Sequence, residues 1–396
     1  MYKKIISSFL LTSALLTSAV PPSMTHAASA PITSYDFAGE RNLFHYARTQ
    51  TSDLFIVRSG ITYIDIGFFY TNDPGLTLTW DKSQMRAGFQ GFNKKIAVRM
   101  GSRTAMLDGK KVTLPAAPFK QSNHNSGDIA IYVPVRFALQ AIGGGNIQVD
   151  AANHRITADH VQSYTVLTDV YGDSTYTLKK QTGDLFVSRG SSLPVLIASI
   201  DTQLTTAQIQ VSHTSGGLQV IRIRDNYGEP GINTQDFTLI FKKDALIRQA
   251  HMQYFWEHGS NIETYNNNIV LSDGATLRII SGETGNVLET IDLIKLGGKK
   301  ATYVVEAIQP AFILVRNTDD AHLMLVHRQT GESIVLYQNL LTPEQQRLVE
   351  PLITPWAQGD EITFDHRTGQ TLYFTYAKGT DREQELTYTL STETPN

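Results

Sequence analysis

Beyond about residue 161 the apolar residues come in bursts no longer than a strand, and a polar or glycine-bearing turn follows most of them. Thr276-Leu277-Arg278-Ile279-Ile280, a turn over residues 281–285 and then residues 287–293 read as strand–turn–strand. Leu323-Met324-Leu325-Val326-His327, a turn through Thr330-Gly331 and residues 333–337 repeat that pattern. Runs of this length suit strands and fall short of most helices. The longest, such as residues 312–315, are far too brief to span a bilayer. The 17 tyrosines, 17 phenylalanines and frequent threonines are residues that pleated surfaces favour.

A Thr-Gly pair recurs at Thr182-Gly183, Thr284-Gly285, Thr330-Gly331 and Thr368-Gly369. The steps are 102, 46 and 38 residues, the first about twice a period near 50. Four-stranded propeller blades repeat at about 40–50 residues. Residues 161–396 are therefore expected to form an all-β, propeller-like domain of about five blades. A β-sandwich or a stack of irregular hairpins is the rival, and no WD or kelch signature is present. One helix interrupts the pattern: Thr342 suits an N-cap, Pro343 the first helical position and Gln345 the capping-box position, with Leu348 and Val349 apolar before Pro351. Residues 244–258 fit either helix or strand, and their neighbours favour strand.

The N-terminus reads as a secretory signal peptide over residues 1–27. Lys3 and Lys4 precede an apolar run over residues 5–20, Pro21-Pro22 break it, and Thr25-His26-Ala27 offers a cleavage site. The expected location is secreted, extracellular or wall-associated. The 396-residue chain contains no cysteine, which excludes a disulfide framework, thiol catalysis and cysteine-ligated zinc. Its formal charge of −3 becomes −5 once Lys3 and Lys4 are removed, and no basic stripe is present. Nucleic acid is not an expected partner, and no transmembrane segment is expected.

Residues 31–159 form a different unit. Strands are expected at 54–57, 61–66, 76–80, 95–100, 111–114, 147–150 and 155–157, with Asp108-Gly109 as a hairpin turn. Val135, Leu139 and Ile142 share one face of a helix opened by Pro134 and closed at Gly143. Tyr63-Ile64-Asp65-Ile66 aligns with Tyr132-Val133-Pro134-Val135, and Trp80-Asp81 with Val149-Asp150, both at an offset of 69. Two copies of a strand–helix–strand unit, the first degenerate, account for this.

Gly101-Ser102-Arg103-Thr104-Ala105-Met106-Leu107-Asp108-Gly109-Lys110-Lys111-Val112, Ala117-Pro118, Tyr132-Val133-Pro134-Val135-Arg136-Phe137, Ala141-Ile142-Gly143 and Val149-Asp150 together resemble the copper amine oxidase N-terminal-like (stalk-like) domain. The likeness covers about residues 61–159. It implies a small, non-catalytic α+β domain of exported proteins from spore-forming Gram-positive bacteria. The catalytic core of an amine oxidase is not implied. Such a core needs Asn-Tyr-Asp/Glu, whereas Asn226-Tyr227-Gly228 places glycine at the acidic position, and no His-x-His occurs.

Other chemistry is sparse. There is no Gly-x-Ser-x-Gly elbow and no Ser-x-x-Lys. The 11 histidines are scattered; His251 and His258 are seven apart, and His322 and His327 five. Asp225, Glu229 and Asp236 flank a loop with oxygen ligands of the kind calcium takes, without EF-hand spacing. Asp319-Asp320 reads as a turn. Tyr254, Phe255, Trp256, Trp356 and Phe374 read mainly as core, with one ring of the 254–256 cluster outward. No catalytic, cofactor-binding or metal-binding residue is assigned, and no cofactor is expected. The expectation is a non-catalytic binding or structural protein whose β domain recognises a wall polymer, a small ligand or another surface protein. The alternative is a secreted glycosidase-like hydrolase with its site in that domain.

Overall fold

The computed structural model describes residues 55–122, 129–150, 155–228, 233–255, 261–349 and 359–390. The expected signal peptide, Glu229, Trp256, His258 and Trp356 lie outside them. The described chain is mostly antiparallel β, in several small sheets.

Residues 55–159 build two sheets and a hairpin on one core. A four-stranded sheet runs in the order Phe55–Arg58, Ile61–Asp65, Ile129–Pro134, Phe119–Ser122. A five-stranded meander follows from Thr77–Asp81 through Arg86–Gly91, Lys94–Arg99 and Thr104–Leu107 to Lys110–Thr113. Asp108 and Gly109 both take positive φ in its last turn, as a tight Asp-Gly hairpin requires. Helix Val135–Ala141 buries Val135, Leu139 and, at its C-cap, Ile142 in the shared core. Gly143, at φ 90, ends it. Pro134 closes the preceding strand as the N-cap residue, with ψ at 121, rather than starting the helix.

The offset of 69 has a structural counterpart. Strand Ile61–Asp65, helix Gly67–Asn72 and strand Thr77–Asp81 correspond to strand Ile129–Pro134, helix Val135–Ala141 and strand Gly145–Asp150. The two leading strands pair with each other, Tyr63 opposite Pro134, Ile64 opposite Val133 and Asp65 opposite Tyr132. Shifting each residue by 69 exchanges the outer two pairs and returns the central pair to itself. The register therefore has a local two-fold axis through Ile64 and Val133.

Among the described residues five antiparallel meanders follow. Sheet I comprises Val166–Tyr171, Ser174–Lys179, Asp184–Arg189 and Val195–Ser199. Sheet II comprises Thr206–His213, Gln219–Tyr227, Asn233–Lys242 and Ala245–Phe255, so residues 245–255 are strand, as their neighbours suggest. Sheet III comprises Thr264–Tyr265, Asn268–Ser272, Thr276–Ile280 and Val287–Asp292. Sheet IV comprises Tyr303–Ile308, Phe312–Asn317, Leu323–His327 and Ser333–Val335, and sheet V Ile362–Thr368, Thr371–Tyr376 and Gln384–Thr389.

Each sheet packs its face on the next. Tyr176, Leu185, Ile221 and Phe237 fill the I–II interface; Val220, Ile240, Leu271 and Ile280 fill II–III. Leu277, Val305, Val315 and Val326 fill III–IV, and Leu314, Leu325, Phe374 and Leu386 fill IV–V. Among the described residues no core cluster joins sheet I to sheet V.

Thr-Gly does not mark one recurring place in these sheets. Thr182-Gly183 joins the second and third strands of sheet I, whereas Thr284-Gly285 and Thr330-Gly331 join the third and fourth of sheets III and IV. Thr368-Gly369 joins the first two described strands of sheet V. What the four share is a glycine at positive φ, between 60 and 80. Turn chemistry, not repeat position, selects the pair. The first strands begin at 166, 206, 264, 303 and 362, giving steps of 40, 58, 39 and 59.

Among the described residues between sheets IV and V are two helices, Leu336–Leu340 and Pro343–Val349. At Pro343–Val349 the capping box is reciprocal: Gln345 N–H donates to Thr342 Oγ1 at 3.3 Å and Thr342 N–H to Gln345 Oε1 at 2.9 Å. Residues 336–337 do not continue the strand Ser333–Val335. Leu336–Leu340 is a helix, because Leu336, Tyr337 and Leu341 fall on one side and pack into the IV–V core.

Asp73 fastens the first unit to sheet I. Its carboxylate accepts from Tyr164 N–H at 2.7 Å, Thr165 Oγ1 at 3.1 Å and Gly75 N–H at 2.9 Å. Gly75 lies flat on this segment; a Cβ there would stand 2.0 Å from the Tyr164 carbonyl carbon.

Candidate binding cleft

Sheet II is polar at one end of the face it turns toward sheet III. Its strands alternate: Ile209, Ile223 and Phe237 point at sheet I, while the intervening residues point the other way. On that second face Val220, Ile240 and Ala250 seal against Ile269, Leu271 and Ile280 of sheet III. Two residues along the same strands the apolar seal stops. The cross-strand rows become Gln210–Arg222–Thr238 and Gln208–Arg224–Asp236. There the sheets part around a cleft of about 740 Å³, with Asn261, Glu263, Thr264 and Ser272 on the facing wall.

The charged groups of this cleft are matched. Arg224 grips Asp236 bidentately, Nε at 2.8 Å and Nη2 at 3.0 Å, and Tyr254 Oη donates to the same carboxylate at 3.1 Å. Arg222 Nη1 lies 3.2 Å from Glu263 Oε2, and Nη2 donates to the Glu263 carbonyl at 3.3 Å. Burial draws the Arg222 guanidinium below the usual arginine range, and Glu263 opposes that shift. Asn261 holds the facing wall: its Oδ1 accepts from Val305 N–H at 2.8 Å. Two arginines answered by two carboxylates leave a surface of amides, hydroxyls and backbone that is rich in hydrogen bonds and close to neutral.

The residues singled out from sequence fare differently. Asp225 is fully buried and faces sheet I, accepting from Thr205 N–H at 2.8 Å and Gln235 Nε2 at 3.0 Å. Asp236 points into the cleft, so strand alternation sends these two candidate calcium ligands to opposite faces. His251 stacks on Phe237 with ring centroids 4.1 Å apart. His322 packs against Tyr337 and lies 3.6 Å from Asp320, in the turn expected at Asp319-Asp320. Among the described residues no three His, Cys, Asp or Glu side chains cluster as metal ligands would. Tyr254 and Phe374 are both buried. Arg222 and Arg224 belong to no motif that singles them out in the sequence. The available signal is Val220-Ile221-Arg222-Ile223-Arg224, a strand with an arginine pair on one face.

A second charged cluster is structural. Arg316, 4% exposed, donates from Nη1 to Asp360 Oδ1 at 2.8 Å and the Ala321 carbonyl at 2.7 Å, from Nη2 to the Ile362 carbonyl at 2.6 Å, and from Nε to Glu306. Burial alone would lower its pKa, but the Asp360 and Glu306 carboxylates raise it above the usual arginine range. Burial pushes the Glu306 carboxyl up, against the pull of Arg316. Every arm of this group is taken by protein, so it clasps sheet IV to sheet V.

Among the described residues no helix is long and apolar enough to cross a membrane. No family model matches the chain, and no curated protein matches it. Solved structures similar to it include Sqt1 of Saccharomyces cerevisiae, 10% identical over 83% of this chain and 77% of that one, with a TM-score of 0.26. Apo AztD from Citrobacter koseri is 11% identical over 76% and 79%, with a TM-score of 0.26. A streptogramin B lyase is 11% identical over 81% and 85%, with a TM-score of 0.22.

Proposed function

We propose that this is an exported, non-catalytic binding protein whose cleft between sheets II and III takes an uncharged, hydroxyl-rich segment of a wall polymer. The observation that carries this reading is the internal matching of Arg222 with Glu263 and Arg224 with Asp236. A strongly anionic ligand would have to displace a carboxylate from each guanidinium, and a cationic ligand the reverse. A neutral polyol needs neither exchange and finds amides and hydroxyls on both walls. The same pairing disfavours glycoside hydrolysis, which needs one carboxylic acid free to protonate the leaving oxygen. Each cleft carboxylate is already engaged by a guanidinium.

In this proposal the sheets I–V are a propeller-like array of five blades, and residues 31–159 are a stalk-like unit that positions it. Five consecutive meanders packed face to face support the first part. The sequence motifs and the paired strand–helix–strand copies support the second, and the Lys3-Lys4 pair followed by an apolar run, a pattern expected of a signal peptide, supports secretion.

The test incubates the purified protein with isolated Gram-positive cell walls. The expected result is co-sedimentation without release of soluble sugar or peptide, with retention reduced by Arg224→Ala and by Gln208→Ala. Release of soluble fragments would establish the hydrolase instead, and retention indifferent to both substitutions would remove the cleft from the account.

A further inference from the structure

A second cavity, of about 370 Å³, opens at one rim of sheets I and II. Three turns and a strand end converge there: Gly172-Asp173 of sheet I, residues 214–218 and Lys243-Asp244 of sheet II, and Arg189 at the end of its strand. Lys243 and Asp244 both take positive φ, 51 and 64, an unusual backbone for either residue type. Arg189 holds that turn in place, with Nη2 2.6 and 2.7 Å from the two Asp244 oxygens.

Two polar groups on the wall of this cavity are unused. Gln219 is 6% exposed, and its side-chain nitrogen is buried with no hydrogen-bond partner among the described residues. His213 is its direct cross-strand neighbour, and His213 Nδ1 is likewise buried and unpartnered. An unmet buried donor or acceptor costs about 1–3 kcal/mol, so two adjacent ones on a cavity wall ask for an explanation. Beside them the half-exposed Tyr171 ring stacks on the His213 imidazole, with centroids 4.0 Å apart.

We propose that this cavity is a binding site for a single neutral sugar ring, with Gln219 and His213 hydrogen-bonding its hydroxyls and Tyr171 covering its apolar face. The proposal stands whether or not the larger cleft binds anything. The charges around the cavity are balanced: Arg189 against Asp244, and Lys243 with Asp173 nearby. Two positive and two negative side chains line the cavity, so its wall carries no net formal charge. Burial lowers the His213 pKa, so the imidazole is neutral near pH 7 and offers one donor and one acceptor. Burial raises the Tyr176 pKa, which keeps its phenol protonated. Hydroxyl groups, which both give and take hydrogen bonds, complement such a wall. The volume falls at the small end of small-molecule sites, which suits one ring rather than a chain.

Calorimetric titration of the purified full chain tests this, using the methyl glycosides of glucose, galactose and N-acetylglucosamine, with inorganic phosphate and lysine alongside. The expected result is saturable binding of at least one glycoside, weakened about tenfold or more by Gln219→Leu and by Tyr171→Ala. Thr375→Ala, in sheet V and outside both cavities, should leave that affinity unchanged. Absence of glycoside binding, binding of phosphate or lysine instead, or glycoside affinity indifferent to both rim substitutions would each overturn the proposal. Should Gln219→Leu fail to fold, Tyr171→Ala at its half-exposed position decides between these outcomes by itself.

Discussion

Sheets IV and V are neighbours built to the same meander, yet their strands are written differently. Phe312–Asn317, the second strand of sheet IV, is buried at all six positions. Thr371–Tyr376, the second described strand of sheet V, is buried only at Leu372, Phe374 and Tyr376, with partly exposed residues between. Packing explains the difference. Leu314 and Val315 point to opposite faces of sheet IV, one toward sheet V and one toward sheet III, and both find a core. Sheet V meets a core on one face only among the described residues. A strand covered on both sides loses its period of two and becomes a continuous apolar run. The number of faces a sheet packs can thus be read from one strand.

The comparison can be broken most severely at its hinge. Arg316→Ala would strand Asp360 and Glu306 in the IV–V interface, and a loss of about 3–5 kcal/mol is expected; denaturant unfolding that shows under about 1 kcal/mol would mean the clasp is dispensable. The packing contrast itself is sharpened by four further substitutions. Leu314→Ala and Val315→Ala should both be costly, at roughly 2–4 kcal/mol, because both faces of sheet IV are filled. In sheet V, Phe374→Ala should cost about 3–5 kcal/mol and its neighbour Thr375→Ala under about 0.5. Equal costs at residues 374 and 375 would show that sheet V is covered on both faces.

The linker between the two sheets offers a smaller lever. Thr342→Ala removes the cap of Pro343–Val349 and should cost about 0.5–2 kcal/mol, readable as a lowered midpoint in thermal unfolding. The least effect is expected from pH. Glu306 has a folded-state pKa above its unfolded one, so its favourable contribution is present at low pH and is lost as pH rises through the elevated value. Comparing wild type with Glu306→Gln by urea titration from acidic to neutral pH should isolate this downward limb. An unchanged pH profile in the variant would exclude Glu306 as its source.

Much of this architecture is legible in the sequence, because its signals are local. The Asp108-Gly109 turn, the Thr342–Gln345 capping box, the helical face of Val135, Leu139 and Ile142 and the offset of 69 each depend on residues a few positions apart or on direct self-likeness. Strand Arg86–Gly91 is hidden in the sequence because Gly88 and Gly91 dilute its apolar residues; Gly88 is there because a Cβ would stand 2.1 Å from the Ile96 carbonyl oxygen. The Thr-Gly spacing misleads, since a left-handed turn is needed at several places in a meander. Of the cleft, the Arg222 and Arg224 alternation is visible, but its meaning is not. That meaning depends on sheet III supplying Glu263 opposite Arg222, a contact across 41 residues.

The two-fold register about Ile64 and Val133 has a consequence for assembly. A polypeptide carrying one strand–helix–strand copy would present a self-complementary edge, and two such molecules could satisfy each other through an isologous interface. Here both halves reside in one chain. The pairing that would otherwise depend on concentration has become intramolecular, and dilution cannot undo it.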